Sequence, residues 1–415
     1  MTVRLRRRDI LAGSLAAAAT ALPHPLVARG EPVRLGLLTV KTGPLAQGGI
    51  QMEQGITVFL RQRNQRLAGR KVELIIADTG GSPAGATTKI RELIERDNVD
   101  LVLGPLADFE LLAISNYVAA QKVLILPHAG TDKVTQREPN PFVIRPAATA
   151  SQRLFPLGDY AARELKFKSV ITIADDFAFG YEQIGGFQKV FEDNGGRIVK
   201  KLWAPLVTPD YTPYLAQIGD ADAVVAGFAG SNPLKFMKQY ASLGLTLPIL
   251  GGQAVGDDAL LHAYGDETIG MINVNPYTAD LDSAANKQFV TDMVTISGHR
   301  PGYYAADLYL QGMVVEAALE KTGGDTAEKS RLREALRSVS LTDSPCGPLR
   351  FDHLGQGIMN IYVRHIERSI SGPFQSKLAN KTVKVYPGVM QFWTYSEQEY
   401  LAQQPYSRDY PPLRS

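Results

Sequence analysis

The chain is 415 residues long, and its 45% hydrophobic and 21% charged side chains are enough to form two medium-sized cores, which favours two domains. Its 44 basic and 42 acidic residues nearly balance, so the composition excludes the basic excess that is typical of a nucleic-acid surface. We therefore expect a protein that binds a small molecule and no nucleic acid.

Residues 1–28 have the pattern of an export signal peptide. Arg4 and three further arginines at positions 6–8 precede an apolar run that ends before Pro23 and is too short to span a bilayer. Arg7 and Arg8 resemble the twin-arginine motif, which predicts export to the periplasm by that route. No later segment is long and apolar enough to span a membrane, so we expect no direct membrane insertion after the signal is cleaved.

From Val33 onward, short β-branched segments alternate with longer amphipathic ones. This alternation predicts βαβ units and a parallel sheet. The predicted strands are Val33–Thr39, Lys71–Ala77, Asp100–Leu103 and Val123–Leu126, and the predicted helices are Ile50–Leu67, Ala84–Asp97 and Phe109–Ala120.

The same rhythm begins again after Pro139-Asn140-Pro141, which predicts a second α/β unit. Its predicted strands are Phe142–Arg145, Ser169–Ala174, Arg197–Trp203, Ala223–Ala226 and Leu247–Leu250, and its predicted helices are Tyr181–Asn194, Tyr211–Ile218, Pro233–Leu243 and Asp258–Tyr264. Three further helices, at 283–297, 303–321 and 326–338, should pack onto an existing lobe. The strand-like segments Asn360–His365 and Thr382–Tyr386 follow, and residues 401–415 should be irregular.

Four loops rich in Gly and Pro, at 42–49, 78–83, 104–109 and 127–132, follow the first four strands. Ligands gather at the carboxyl ends of parallel strands, where free N–H groups at helix N-termini face outward. One such loop alone would be ordinary turn chemistry, whereas four in one half favour a site for a polar head group. His128 is the only histidine in these loops and the best single polar candidate, with a surface or turn histidine as the alternative.

The loop after Ser169–Ala174 carries three aromatic residues, Phe177, Phe179 and Tyr181. Aromatic side chains at a strand end suit the wall of a site for a flat ligand. Core packing is the alternative, particularly for Phe177 and Tyr181. Phe179 is the stronger candidate for the wall because it directly precedes Gly180 and the helix.

Signatures of catalysis are absent from the sequence. It contains no phosphate-binding, dinucleotide-binding, nucleophile-elbow or H-E-x-x-H motif, and its six histidines have no metal-ligand spacing. Cys346 is the only cysteine and cannot form a disulfide within the chain. We therefore predict no enzyme, no metal and no cofactor, with a hydrolase on an α/β scaffold as the enzymatic alternative.

The order and spacing of several short motifs between Val33 and Phe351 resemble those of a known family. The motifs are Gly36-Leu37-Leu38-Thr39, Thr42-Gly43-Pro44-Leu45-Ala46, Gly104-Pro105-Leu106, Pro127-His128-Ala129-Gly130-Thr131, Asp176–Gly180 and Gly347–Asp352. They are similar to the branched-chain amino acid (leucine/isoleucine/valine-type) receptors of ABC importers, which are type I periplasmic binding proteins. The tail after Phe351 resembles relatives that bind aromatic acids.

The resemblance implies two Rossmann-like α/β lobes joined by a three-strand hinge, with crossings near residues 146, 275 and 355. Lobe 1 would comprise residues 31–146 and 276–355, and lobe 2 would comprise 147–275 and 356–400. The lobes would close on a small ligand and present it to the membrane permease and ATPase subunits of an ABC importer.

The resemblance also implies which residues bind the ligand. Its carboxylate would lie against two loops, at Leu106, Ala107 and Asp108 and at His128, Ala129, Gly130 and Thr131. Gln47 belongs to the first loop, where Gly48 replaces a family tyrosine and should enlarge the cleft. Phe179 and Phe228 would face the apolar part of the ligand.

Gln253 occupies the position of the acidic residue that pairs with the ammonium of an amino acid in the family. Without that carboxylate the site loses a charge-assisted partner for an ammonium. We therefore expect a small carboxylated ligand, with an aromatic acid as the favoured candidate. A branched-chain amino acid receptor and an amide- or urea-sensing relative of the same fold remain alternatives.

Overall fold

The computed structural model describes residues 31–369 and 377–414. The predicted export signal, residues 1–28, lies outside the described residues. The first strand of the described chain, Val33–Thr39, coincides with the first predicted strand.

Five strands form the first sheet, in the order β2-β3-β1-β4-β5. They are β1 Val33–Thr39, β2 Arg66–Leu67, β3 Arg70–Asp78, β4 Leu101–Leu103 and β5 Leu124–Leu126. All pairs are parallel except the β2–β3 hairpin. The helices α1 Ala46–Gln62, α2 Pro83–Arg91 and α3 Asp108–Ala120 connect them, and α2 continues into one π-helical turn at Glu92–Arg96.

A second sheet has eight strands, with β11-β12-β10-β9-β8-β6-β7 along its path and β13 paired to β12. Its first part is α4 Ala150–Arg163, β6 Ser169–Asp175, α5 Ala178–Asp193, β7 Arg197–Ala204, α6 Thr212–Leu215, β8 Ala223–Gly227, α7 Asn232–Ser242, β9 Ile249–Gly251 and β10 Ile272–Asn275. The next three helices are α8 Ala284–Ser297, α9 Tyr303–Thr322 and α10 Lys329–Arg337. They are followed by β11 Leu349–Phe351, β12 Gly357–Arg368, β13 Leu378–Val389 and α11 Glu397–Leu401.

Helix α9 packs closely against α1 on the first sheet. A Cβ atom at Gly55 would lie 2.1 Å from the carbonyl oxygen of Ala305, and one at Gly312 would lie 2.4 Å from a ring atom of Phe59. Both glycines therefore permit a close helix contact that a larger residue would prevent. This contact attaches the three-helix block to the helices of the first sheet and places the N-terminus of α9 beside the second sheet.

The first connection between the sheets, at Arg145, is hydrogen-bonded to the segment at 355–357. The Arg145 N–H donates to the Gly355 carbonyl at 2.9 Å, and the Gly357 N–H donates to the Arg145 carbonyl at 2.8 Å. The Arg145 side chain is buried and donates to Thr135 and Gln356. These bonds hold the first connection beside the turn that leads into β12.

The structure differs from the sequence prediction at the third crossing. A crossing near residue 355 would leave Leu349–Phe351 in lobe 1, whereas this strand pairs with β12 in the second sheet. The short turn at 352–356 folds the two strands into a hairpin, so the crossing occurs before Leu349. The predicted strand Phe142–Arg145 is reduced to isolated bridges at Val143 and Arg145.

Helix α1 begins at Ala46, four residues earlier than Ile50. Gln47 and Gly48 are therefore helical rather than part of a loop. The predicted helix Asp258–Tyr264 is a 3-10 helix over Asp258–Ala263. In the described part of the chain, no helix is both long and apolar enough to cross a membrane.

Candidate ligand-binding site

A cavity lies between the two sheets, where the carboxyl ends of their parallel strands face each other. Its empty space, including the part that is open to solvent, is about 290 Å³. The lining residues are Leu45, Leu106, Ala107, Asp108, His128, Gly130, Arg153, Phe177, Phe179, Ala229, Gln253, Tyr303 and Tyr304.

Arg153, in the first turns of α4, is the cationic residue of the cavity wall. Thr149 and Gln152 form a capping box that sets where this helix begins. Arg153 is only 1% exposed, its Nη2 donates to the His128 carbonyl oxygen at 3.4 Å, and its Nε has no partner. Among the described residues, no carboxylate forms an ion pair with it. A buried guanidinium of this kind needs an anion.

His128 lies beside Arg153 and is held from behind by Asp307 of α9. Its Nδ1 is 2.6 Å from Asp307 Oδ2, and both side chains are buried. Burial lowers the pKa of His128, and the Asp307 carboxylate acts in the opposite direction. Because Asp307 occupies Nδ1, Nε2 is the ring nitrogen that remains for a ligand.

Asp108 links the two loops of the first sheet that line the cavity. Its Oδ1 accepts a hydrogen bond from the Gly130 N–H at 2.6 Å. Burial raises the pKa of this carboxyl to about 6, although Arg145 and Arg153 act against that rise. Asp108 therefore fixes the position of the Gly130 backbone beside the Arg153 guanidinium.

Aromatic and aliphatic side chains form the rest of the wall. Phe177 and Phe179 stack with ring centroids 6.0 Å apart, and the Tyr303 and Tyr304 centroids are 4.0 Å apart. The Tyr304 hydroxyl accepts a hydrogen bond from the Gly230 N–H at 3.2 Å, which joins α9 to the loop after β8. Rings from both sides of the cavity suit a flat apolar ligand body.

Seven of the predicted site residues line this cavity, and four do not. The seven are Leu106, Ala107, Asp108, His128, Gly130, Phe179 and Gln253. Phe228 instead packs in the core, with its ring centroid 5.2 Å from that of Tyr211 and 4.8 Å from that of Phe236. Its placement in the cleft was wrong, because the chain turns after β8 and directs Ala229 to the cavity.

The other three residues point elsewhere. Thr131 donates a hydrogen bond to Glu182 at 3.0 Å, and Ala129 is buried in the apolar core of the first sheet. Gln47 lines a separate groove because it lies in the first turn of α1. Gly48 does not enlarge the cleft, since a Cβ there would lie 2.8 Å from the Tyr304 ring, which occupies the space.

Arg153, Tyr303 and Tyr304 are wall residues that the sequence interpretation missed, and Phe177, for which it weighed core packing, lines the cavity as well. A charged residue in an amphipathic helix ordinarily faces solvent, and Tyr303 begins a helix in a late block with no strand before it. The capping box at Thr149 and Gln152 was the available signal for α4, because it locates a helix N-terminus directly after the first crossing.

A family model described as periplasmic binding protein matches residues 32–371. Together with the two α/β sheets and the cavity between them, this shows that the chain belongs to the periplasmic binding protein family. The predicted family and fold class, a type I periplasmic binding protein, are confirmed. The family implies a periplasmic location and a role in binding solutes.

Three relatives illustrate the range of the family. The Leu/Ile/Val-binding protein homolog 6 of Brucella suis is 26% identical over 361 residues, which cover 84% of this chain and 91% of that protein. An ABC transporter substrate-binding protein from Sphaerobacter thermophilus has a TM-score of 0.80 and 31% identity, over 86% of this chain and 99% of its own. A solute binding protein of an ABC transporter from Rhodopseudomonas palustris, in complex with 3,4-dihydroxy benzoic acid, has a TM-score of 0.81 and 31% identity, over 87% and 98%.

Proposed function

We propose that this protein is a periplasmic receptor that binds a small aromatic carboxylic acid and delivers it to the permease and ATPase subunits of an ABC importer. One observation carries the choice of ligand: the buried Arg153 guanidinium lines the cavity and forms no ion pair with a carboxylate of the described residues, although Asp108 is near enough for the guanidinium to act on its pKa. A ligand carboxylate would supply this missing anion. His128 would form a hydrogen bond to the ligand through Nε2, beside that carboxylate.

The apolar wall supports the aromatic part of the proposal. Phe177, Phe179 and Tyr304 line the cavity, and the Phe177 and Phe179 rings stack on each other. The similar solute binding protein that was solved with 3,4-dihydroxy benzoic acid agrees with this assignment. A free amino acid fits less well, because Gln253 provides no charge for an ammonium group.

Closure of the two lobes would be the mechanism. The proposed lobes are residues 31–146 with 276–348 and residues 147–275 with 349–400, the boundary being moved to include β11 in the second. Two hydrogen bonds join the proposed lobes at the rim of the cavity. The Ser231 N–H donates to the Pro44 carbonyl oxygen at 3.1 Å, and the Tyr303 N–H donates to Asp257 Oδ1 at 3.0 Å. A ligand that contacts both walls would favour this closed arrangement. Export through the twin-arginine route is part of the same proposal.

Calorimetric titration of the mature protein with benzoate, 4-hydroxybenzoate, cinnamate, leucine and acetamide tests the ligand class. We expect the aromatic acids to bind and leucine and acetamide to bind weakly or not at all. Recovery of unchanged ligand after prolonged incubation separates a receptor from an enzyme. Tight leucine binding without aromatic binding would overturn the proposal in favour of the amino acid receptor.

The variant Arg153→Met tests the role of the guanidinium. Loss of a charge-assisted hydrogen bond worth about 1.5–3 kcal/mol should weaken aromatic acid binding by about 10- to 150-fold. Arg96→Met is the matched control, because that arginine side chain is 68% exposed on the surface of the first lobe. Equal affinity of wild type and Arg153→Met would contradict the assignment of Arg153.

A further inference from the structure

Gln253 is a polar residue of the cavity wall. It follows β9, its backbone carbonyl accepts a hydrogen bond from Asn275 Nδ2 at 2.9 Å, and its side chain is fully buried. Neither Oε1 nor Nε2 of its amide has a partner among the described residues. Burial removes the water that would otherwise bind both ends of such an amide. Gln183 and Gln311 are unpaired in the same way, but of the three only Gln253 lines the cavity.

Gln253 is a polar residue in an otherwise apolar part of the cavity wall. The other cavity residues contributed by the loops after β6 and β8 are apolar, namely Phe177, Phe179 and Ala229. An aliphatic side chain of similar size would complete this wall without an unpaired amide. The amide is therefore expected to have a partner that enters with the ligand.

The chemistry of an amide defines that partner. It offers one acceptor oxygen and two N–H donors and carries no charge. A hydroxyl group both donates and accepts one hydrogen bond and is also neutral, so it complements the amide, whereas an ammonium or a second carboxylate would enter without a charged partner here. The cation for the ligand's carboxylate is supplied separately by Arg153.

We propose that Gln253 is a specificity residue that selects aromatic acids bearing a ring hydroxyl over the unsubstituted acids. This inference rests on the proposed function of the same cavity. A site built to hydrogen-bond a hydroxyl discriminates strongly against a ligand that lacks it, because the buried polar groups are then left unpaired. The similar protein solved with 3,4-dihydroxy benzoic acid is consistent with this selection.

The test is a comparison of benzoate, 3-hydroxybenzoate, 4-hydroxybenzoate and 3,4-dihydroxybenzoate by calorimetry on the wild-type protein and on Gln253→Met. Wild type should prefer at least one hydroxylated acid to benzoate by about 10-fold or more. Gln253→Met should lose that preference while still binding benzoate, since Arg153 is unchanged. Gln47→Met is the control, because Gln47 lies outside the cavity, and it should keep the wild-type preference.

The outcomes separate this inference from the proposed function. Binding of benzoate and all the hydroxybenzoates with equal affinity to wild type would overturn the role of Gln253 and leave the aromatic acid receptor standing. A preference that survives in Gln253→Met would also overturn it. Failure of every aromatic acid to bind would overturn both. The wild-type comparison needs no variant. Equal affinities there would overturn the role of Gln253 even when Gln253→Met fails to fold.

Discussion

The contact between Asp257 and the N-terminus of α9 should contribute measurably to ligand affinity. Asp257 precedes the 3-10 helix of the second lobe, and its Oδ1 accepts the Tyr303 N–H at 3.0 Å, while Gln51 accepts the neighbouring Gly302 N–H at 3.0 Å. Tyr303 also lines the cavity. The contact therefore joins the two proposed lobes beside the cavity, and it would be lost if they separated.

The size of the effect follows from two opposing contributions. A carboxylate at a helix N-terminus gains a charge-assisted hydrogen bond of about 1.5–3 kcal/mol. Burial raises the pKa of Asp257 to about 7 from its usual 3.8, helped by the neighbouring Asp258, so near neutral pH only part of the population is charged. We therefore expect Asp257→Ala to lose roughly 1.4 kcal/mol of closure free energy, or about 10-fold in affinity.

The assay is calorimetry with 4-hydroxybenzoate at pH 7, combined with small-angle scattering of the ligand-bound protein. Asp257→Asn keeps an oxygen acceptor without the charge, so its affinity should fall between those of wild type and Asp257→Ala. Asp282→Ala is the control, because the Asp282 side chain is 86% exposed. Unchanged affinity and compactness in folded Asp257→Ala would refute the reasoning.

Two further predictions concern stability. Arg364→Met should lower the free energy of unfolding by about 3–5 kcal/mol. The substitution leaves the fully buried Asp258 carboxylate, which lies 2.6 Å from the guanidinium, without its cation. Urea denaturation measures the loss, and adding Asp258→Asn to the same chain should recover part of it. Burial raises the pKa of Asp175 to about 8 from 3.8, so the native state retains a proton that the unfolded chain releases. The contribution of this group to stability is full below about pH 4 and is lost as pH rises through 8. Thermal melts between pH 5 and pH 9 should show a shallower decline in Asp175→Asn, and identical slopes would contradict the prediction.

The sequence by itself determined the parallel α/β architecture and the loops that face the cavity. Strand ends and the Gly- and Pro-rich turns after them are local features, and parallel strands always present these ends at one edge of the sheet. For that reason His128 and Phe179 could be identified from the local sequence pattern, whereas Asp108 and Gln253 were predicted from the family resemblance. Sequence pattern could not place Phe228, because a single turn after β8 decides whether Phe228 or Ala229 faces the cavity.

Only the tertiary structure decided the cationic and tyrosine parts of the wall. Arg153 and Tyr304 lie in helices, and they reach the cavity because segments about 150 residues apart pack together around it. The same packing fills the space beside Gly48 with the Tyr304 ring, which reversed the expected enlargement of the cleft. Helical periodicity identifies the apolar face of a helix. Which polar residue becomes buried at the end of the helix depends on the elements that the helix packs against. The role that we propose for Arg153 therefore became apparent only when the two sheets were in place.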